Sequence, residues 1–258
     1  MDADNKNTLP DVQSARDGRN IAIDRVGVRG ITVPITVETK EDTLATVATV
    51  EMTVSLPADK KGTHMSRFVA LMEEHSEPLN VDVVRSLMAD MLKRLDAVDG
   101  TIELRFPFFI RKCAPVSKLT SLMNYEAAWI ADSRGGVITV RQETATPGSK
   151  EISRYGAHNQ RSRLTASVEL SAPMSLEEQI AYSEEAASCQ LWARLKRSDE
   201  KYVTEYAYDH PKFVEDIVRD MAAALNKEER VVAYRVEAEN FESIHNHSAY
   251  AYITHDKR

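Results

Sequence analysis

From Leu44 to Leu56 every second residue is apolar or small: Leu44, Thr46, Ala48, Val50, Met52, Val54 and Leu56. Successive side chains of a strand point to opposite faces, so this spacing builds a strand with one buried and one wet face. A parallel sheet, covered on both sides, reads instead as a continuous apolar run. The alternation therefore predicts a sheet covered on one side, and because the strands are not each separated by a helix the sheet is read as antiparallel.

The neighbouring segments supply that layer. Residues 21–37 are rich in β-branched side chains and suit a strand, and Pro57 closes the alternating segment. Residues 66–75 read as a short helix. Val81, Val84, Leu87, Met88, Met91, Leu92 and Leu95 then form one stripe of a helix that ends at Asp99-Gly100. A strand over residues 101–111 and a hairpin around residues 132–136 follow.

The second half repeats the order. Leu164, Ala166, Val168 and Leu170 alternate, and Ser175 with Glu178 makes a capping box. Leu176, Ile180, Ala187, Leu191 and Leu195 supply the buried face of the helix it opens. Pro211 suits the first turn of another, which buries Val214, Ile217, Val218, Met221 and Leu225. Strands over residues 230–239 and 248–254 close the chain. Each half reads strand, strand, helix, helix, strand, strand. The expected class is α+β, with two tandem units over residues 21–136 and 137–258 after a loose arm, residues 1–20.

Charge and cysteine usage narrow the function. The net charge of −7 argues against non-specific nucleic-acid binding, which needs a basic face. Two cysteines, Cys113 and Cys189, give no disulfide framework, so a reducing compartment, the cytoplasm, is expected. The polar first residues hold no apolar signal region, and no run of about 18 apolar residues could span a membrane.

Several polar constellations carry chemistry, each beside a plainer reading. His158, in YGAHNQRS, is a loop imidazole that suits a metal ligand or a hydrogen-bonded structural histidine. Glu200, in RSDEKYVTE, falls between the two late helices as a ligand or a solvated charge. Glu215 is an anchoring carboxylate at a pocket rim, or a first-turn acid favoured by the helix dipole. His245 and His247, two apart with Glu242 before them, would share one side of a strand, where such a pair binds metal, moves protons, or is edge polarity. Lys61 and Arg67 flank a helix start that suits a phosphate chain or a solvated loop.

Taken together, LPADKKGTHMSRFVALMEE, KCAPVSKL, SKEISRYGAHNQRS, EEAASCQLWARLKRSDEKYVTE, HPKFVEDIVRD and AENFESIHNHSAYA give the chain a resemblance to the type IB GTP cyclohydrolase I family, which has the tunnelling fold. The resemblance implies homotetramers with sites at subunit interfaces, where zinc or manganese activates a water. GTP is opened at its imidazole ring, formate leaves, and dihydroneopterin triphosphate passes to pterin and folate synthesis. It also implies residue roles. His158 and Glu200 match metal ligands, Glu215 the guanine anchor, and His245 a proton-transfer group, with Glu242, Lys61 and Arg67 lining the substrate site.

One motif departs from the pattern. Before SKEIS the family carries CPC, and one of its thiols is a metal ligand; here Thr146, Pro147 and Gly148 stand in those places. A hydroxyl or a missing side chain replaces a charged soft donor, so zinc affinity is expected to weaken or disappear. Glu143 could restore a harder site suited to manganese, Cys113 could approach from elsewhere, or the chain could be a divergent paralogue that binds a purine or pterin without turnover, or acts on a different nucleotide.

Overall fold

A computed structural model of the chain describes residues 12–133, 139–148 and 160–258, the middle stretch through its backbone. Its strands are β1 (Ile23–Glu38), β2 (Thr43–Leu56), β3 (Gly100–Cys113), β4 (Thr120–Asp132), β5 (Thr139–Gly148), β6 (Ser162–Leu170), β7 (Val231–Asn240) and β8 (Ala249–Asp256). They form an eight-stranded sheet in sequence order, antiparallel at every step. Helices α1 (Met65–Glu73) and α2 (Val81–Leu95) connect β2 to β3, and α3 (Leu176–Ala186), α4 (Arg197–Asp209) and α5 (Val214–Lys227) connect β6 to β7.

The alternation that opens the sequence is realised. Ala48, Val50, Met52, Val54 and Leu56 are buried, and the residues between them are exposed or half-buried. Ile102, Leu104 and Phe108 of β3 join that face, and Val84, Met88 and Met91 of α2 belong to the same core. In the second half Ala166, Val168, Val236 and Ala238 share it with Ile217, Met221 and Leu225 of α5. The opposite face is polar, with Arg29 on Glu51 at 2.7 Å and the pairs Arg105–Glu103 and Arg235–Glu237. Gly30, at φ 77°, sits in the register shift between Arg29 and Ile31, where a left-handed residue lets the long β1 bulge and continue pairing.

Four expectations need correction. Among the described residues the second half holds three helices rather than two, because α4 has no apolar stripe to betray it: Asp199 is its one buried residue. Helix α3 stops at Ala186, so Ala187, Leu191 and Leu195 lie in an irregular connector. Tertiary donors take carbonyls there: Lys212 Nζ bonds Ala186 O at 2.8 Å and Lys112 Nζ bonds Leu191 O at 2.9 Å. Helix α2 ends at a left-handed Asp96, φ 50°, ahead of Asp99-Gly100, and Lys60 fastens that carboxylate at 2.7 Å. Pro211 precedes the N-cap Phe213 instead of opening α5.

The arm expected to be loose is tied down in its described part. Gln13 O and Ala15 O accept from Gly62 N and Lys61 N, and Asp17 N donates to Asp59 O at 2.9 Å. Residues 1–11, and the 136/137 boundary between the expected units, lie outside the described residues. Among the described residues no helix is long and apolar enough to cross a membrane.

One carboxylate closes the far end of the second half. Glu228 accepts from Arg230 Nε at 2.8 Å and from the Tyr182 hydroxyl at 2.8 Å, and its side chain is 13% exposed. The Arg230 hydrogen bonds outweigh burial and bring its pKa from 4.5 down to about 2. A depressed pKa stabilises the fold fully above the unfolded value and loses that contribution as pH falls. The stability difference between the native chain and Glu228→Gln is therefore expected to be on the order of 3 kcal/mol at neutral pH. In urea unfolding series it should shrink below about pH 4.5 and vanish near pH 2. A difference that stays constant across that window would refute the assignment.

Candidate functional site at one end of the sheet

Strand direction decides which candidates meet. Strand β3 ends at Cys113 and β4 begins at Thr120, which pair; Gly148 pairs with Ser162, and Ser162 with Asn240. The connections 39–42, 114–119 and 241–248, and the link from Gly148 to Ser162, therefore all fall at the same end of the sheet. Helix α5 leads from this end to β7, which starts at the opposite one, so Glu215, exposed in its first turn, lies at the same end.

The approach to His158 is laced to the loop that carries His245. Ser162 Oγ donates to Asn240 Oδ1 at 2.5 Å, both residues buried. Phe241 N donates to Arg161 O at 2.9 Å, and Gln160 Nε2 to Glu242 Oε1 at 3.2 Å. The last β6–β7 pair and two further links past its end thus bring Glu242 against the QRS end of YGAHNQRS. His158 itself lies outside the described residues.

His245 and His247 are on no strand. They occupy the loop between β7 and β8, where their exposed rings stack at 4.9 Å with an 18° interplanar angle. The sequence resolves the loop in retrospect, since SIHNHS has no alternation of apolar residues to pair.

Glu200 stands exposed in the first turn of α4. Its neighbour Asp199 is fully buried. Asp199 Oδ1 accepts from Val116 N at 2.9 Å and Ser117 N at 2.8 Å, and Oδ2 from Ser117 Oγ at 2.6 Å and Lys196 N at 2.8 Å. Burial alone would push this carboxyl up, but the Ser117 and backbone donors hold it well below the usual carboxylate range. The 114–119 turn is thus built around a buried anion delivered by α4.

The connector before α4 is fixed to the same place. Trp192 Nε1 donates to Cys113 O at 2.9 Å, and Lys112 lies 4.8 Å over the Trp192 ring. Lys112 Nζ also meets Glu184 at 2.6 Å, and the Tyr125 hydroxyl donates to that carboxylate at 2.6 Å. Burial and the Glu184 charge push the Tyr125 hydroxyl well above its ordinary range. Burial likewise raises the Cys189 thiol, which makes it a poor thiolate donor. Sequence reasoning missed Lys112, Ser117 and Asp199, since spacing does not reveal which charges are buried.

Lys61 and Arg67 lie elsewhere. They follow the end of β2 that pairs with Ile23 and lies beside Gly100, so a strand length separates them from the 241–248 loop. That is roughly 45 Å for a 14-residue strand at about 3.3 Å per residue. Arg67 is engaged there, donating to Arg94 O at 2.8 Å.

Donor chemistry tests whether a divalent ion fits. Glu200 is exposed at the correct end, and Cys113 is an exposed free thiol there. Glu143 pairs with Ala128 and Ser167, about 16 Å short of Gly148 along the strand, which disfavours it as a substitute ligand. No group of three His, Cys, Asp or Glu side chains that could hold a metal occurs among the described residues. An imidazole and a carboxylate, with oxygen in place of sulfur, lack the soft donor that holds zinc most strongly and remain able to hold a harder ion such as manganese.

Known proteins resemble this chain closely. The family model for type I GTP cyclohydrolase folE2 matches residues 9–251. A protein of Cupriavidus metallidurans named GTP cyclohydrolase FolE2 2 is 55% identical over 256 residues, covering 97% of this chain and 96% of its own. GTP cyclohydrolase FolE2 of Ralstonia nicotianae is 56% identical over the same length and coverage. Among solved structures, a highly active BTUO mutant aligns with a TM-score of 0.51 at 8% identity, covering 91% of this chain and all of its own. The uricase of Arthrobacter globiformis aligns with a TM-score of 0.50 at 6% identity over 90% of this chain and 93% of its own. That likeness is one of fold alone, the tunnelling fold.

Proposed function

This chain belongs to the type I GTP cyclohydrolase folE2 family, and we propose that it hydrolyses GTP at the imidazole ring, releasing formate and forming dihydroneopterin triphosphate for pterin and folate synthesis. The observation that carries the reading is the convergence of Glu200, Glu215, Glu242 and His245 on one end of the sheet, beside the residues that lead from His158. These four groups were singled out in the sequence without any knowledge of strand direction, which supports the reading.

In this reading Glu215 anchors the guanine edge. Its carboxylate, in the first turn of α5, is a paired acceptor for the ring N–H and amino group. His158 and Glu200 would hold a divalent ion, which would supply Lewis acidity and an activated water. His245 transfers protons at the opening ring, and Glu242, steadied by Gln160, orients the substrate beside it.

Lys61 and Arg67 join such a site only when a second copy presents its opposite end. Their distance from His245 within one chain supports a homo-oligomer, a tetramer in the resemblance, with sites shared between subunits.

Thr146 and Gly148, in place of the family's cysteines, favour a second reading: a divergent paralogue that binds a purine or pterin without opening it. One experiment separates the two. The metal-stripped protein receives manganese or zinc and then GTP, with formate and pterin absorbance followed. Turnover is expected with manganese and less with zinc. GTP binding without formate under both metals would establish the non-catalytic reading instead.

A further inference from the structure

Helix α4 is attached to the rest of the protein in an unusual way. It spans thirteen residues, and only Asp199 is buried. Tyr202, Tyr206 and Tyr208 are exposed along it, so no apolar face packs it against the sheet. What fixes its start is the set of hydrogen bonds that Asp199 receives from Val116, Ser117 and Lys196. The next residue is Glu200.

We propose that Asp199 is a positioning residue: by clamping the first turn of α4 to the 114–119 turn, it sets where the Glu200 carboxylate stands, and so the affinity of the site for a divalent ion. The inference rests on the reading of Glu200 as a ligand. A ligand on the first turn of a helix moves with that turn. Within α4 no other side chain of the first turn is buried, and the nearest other anchor is Trp192, five residues before the helix, so the turn's position depends on Asp199. Both oxygens of Asp199 are used, Oδ1 by two backbone N–H groups of the 114–119 turn and Oδ2 by the Ser117 hydroxyl and the helix's own Lys196 N–H. An amide in its place keeps one acceptor and turns the other oxygen into a donor facing donors.

The test uses the full chain, with Mn²⁺ alone as the probe. Free Mn²⁺ is measured by electron paramagnetic resonance, and amide exchange is measured on the metal-free protein. Asp199→Asn is expected to weaken Mn²⁺ binding about 10- to 100-fold, the usual effect of removing a group that orients a ligand. Exchange should accelerate across residues 197–209 and stay unchanged in α5. Ser117→Ala, which leaves α4 unaltered, should show a smaller loss of the same sign, and it carries the test if the Asn variant fails to fold. Unchanged Mn²⁺ affinity, or exchange that accelerates equally in α4 and α5, overturns the proposal. Glu200→Ala run in parallel separates the two layers: if it leaves Mn²⁺ binding intact, the ligand reading is wrong and the positioning role falls with it. If it weakens binding while Asp199→Asn and Ser117→Ala do not, only the positioning role is wrong.

Discussion

His245→Gln is expected to lower the rate of formate release from GTP by about 100- to 10,000-fold, the range that positioned proton transfer contributes. Nucleotide affinity should change little, because the guanine edge is held by Glu215 on a different element. Opening the imidazole ring requires a proton delivered to a departing ring nitrogen and another removed from the attacking water. Imidazole is the side chain whose ordinary pKa permits both near neutrality. His245 is exposed in a loop whose two ends are fixed, by Phe241 N on Arg161 O at 2.9 Å before it and by the β7–β8 pairing of Asn240 with Ala249 around it. Its stacking partner His247, 4.9 Å away, offers a second imidazole of the same kind. His247→Gln is the control and should cost much less. Steady-state kcat beside a GTP titration of the metal-free protein measures both. A kcat within threefold of the native value for His245→Gln would remove it from the chemistry, and a large effect confined to His247→Gln would exchange the two roles.

The sheet was legible because burial wrote it into the sequence. Leu44 to Leu56 and Leu164 to Leu170 alternate since one face meets helices and the other does not. The stripes of α2 and α5 repeat at helical spacing for the same reason, and the Ser175–Glu178 capping box formed with both reciprocal hydrogen bonds, at 3.2 and 2.9 Å. Helix α4 was illegible on the same principle. It buries no apolar stripe, so it leaves no periodic trace, and its one anchor is a charge, the kind of residue ordinarily read as solvated. Lys61 and Arg67 show a further limit. Spacing along the chain reveals that they flank a helix start, but only strand direction reveals that this start is at the opposite end from His245. Glu200, Glu215 and His245 stood out in the sequence only as candidates beside plainer readings, and their roles came from the resemblance, because no periodicity argument distinguishes them from other surface charges.

The cysteine positions carry the second large effect. Thr146 pairs with Leu164 and Gly148 with Ser162, so both backbone positions lie at the end of β5 where the 241–248 loop also lies. Two residues apart on a strand, they share a face. A thiolate introduced at either place brings the soft, charged donor that the present residues lack. A complete structural zinc site is worth about 10–16 kcal/mol, or about 2.5–4 kcal/mol for each of four ligands. One of the two substitutions, Thr146→Cys or Gly148→Cys, is therefore expected to tighten zinc binding about 100- to 1,000-fold. Zinc's lead over manganese should widen in that variant, because a thiolate favours zinc more than it favours the harder ion. Thr146→Cys is nearly isosteric, whereas Gly148→Cys adds a side chain where there was none. Zinc titration against a competing chelator measures both, and Thr146→Ser and Gly148→Ser control for side-chain bulk. If neither cysteine tightens zinc, the 146–148 segment does not face the ion. If Glu200→Ala also leaves Mn²⁺ binding intact, His158 and Glu200 belong to a nucleotide pocket rather than to a metal site, which is the non-catalytic reading reached by a route that requires no substrate.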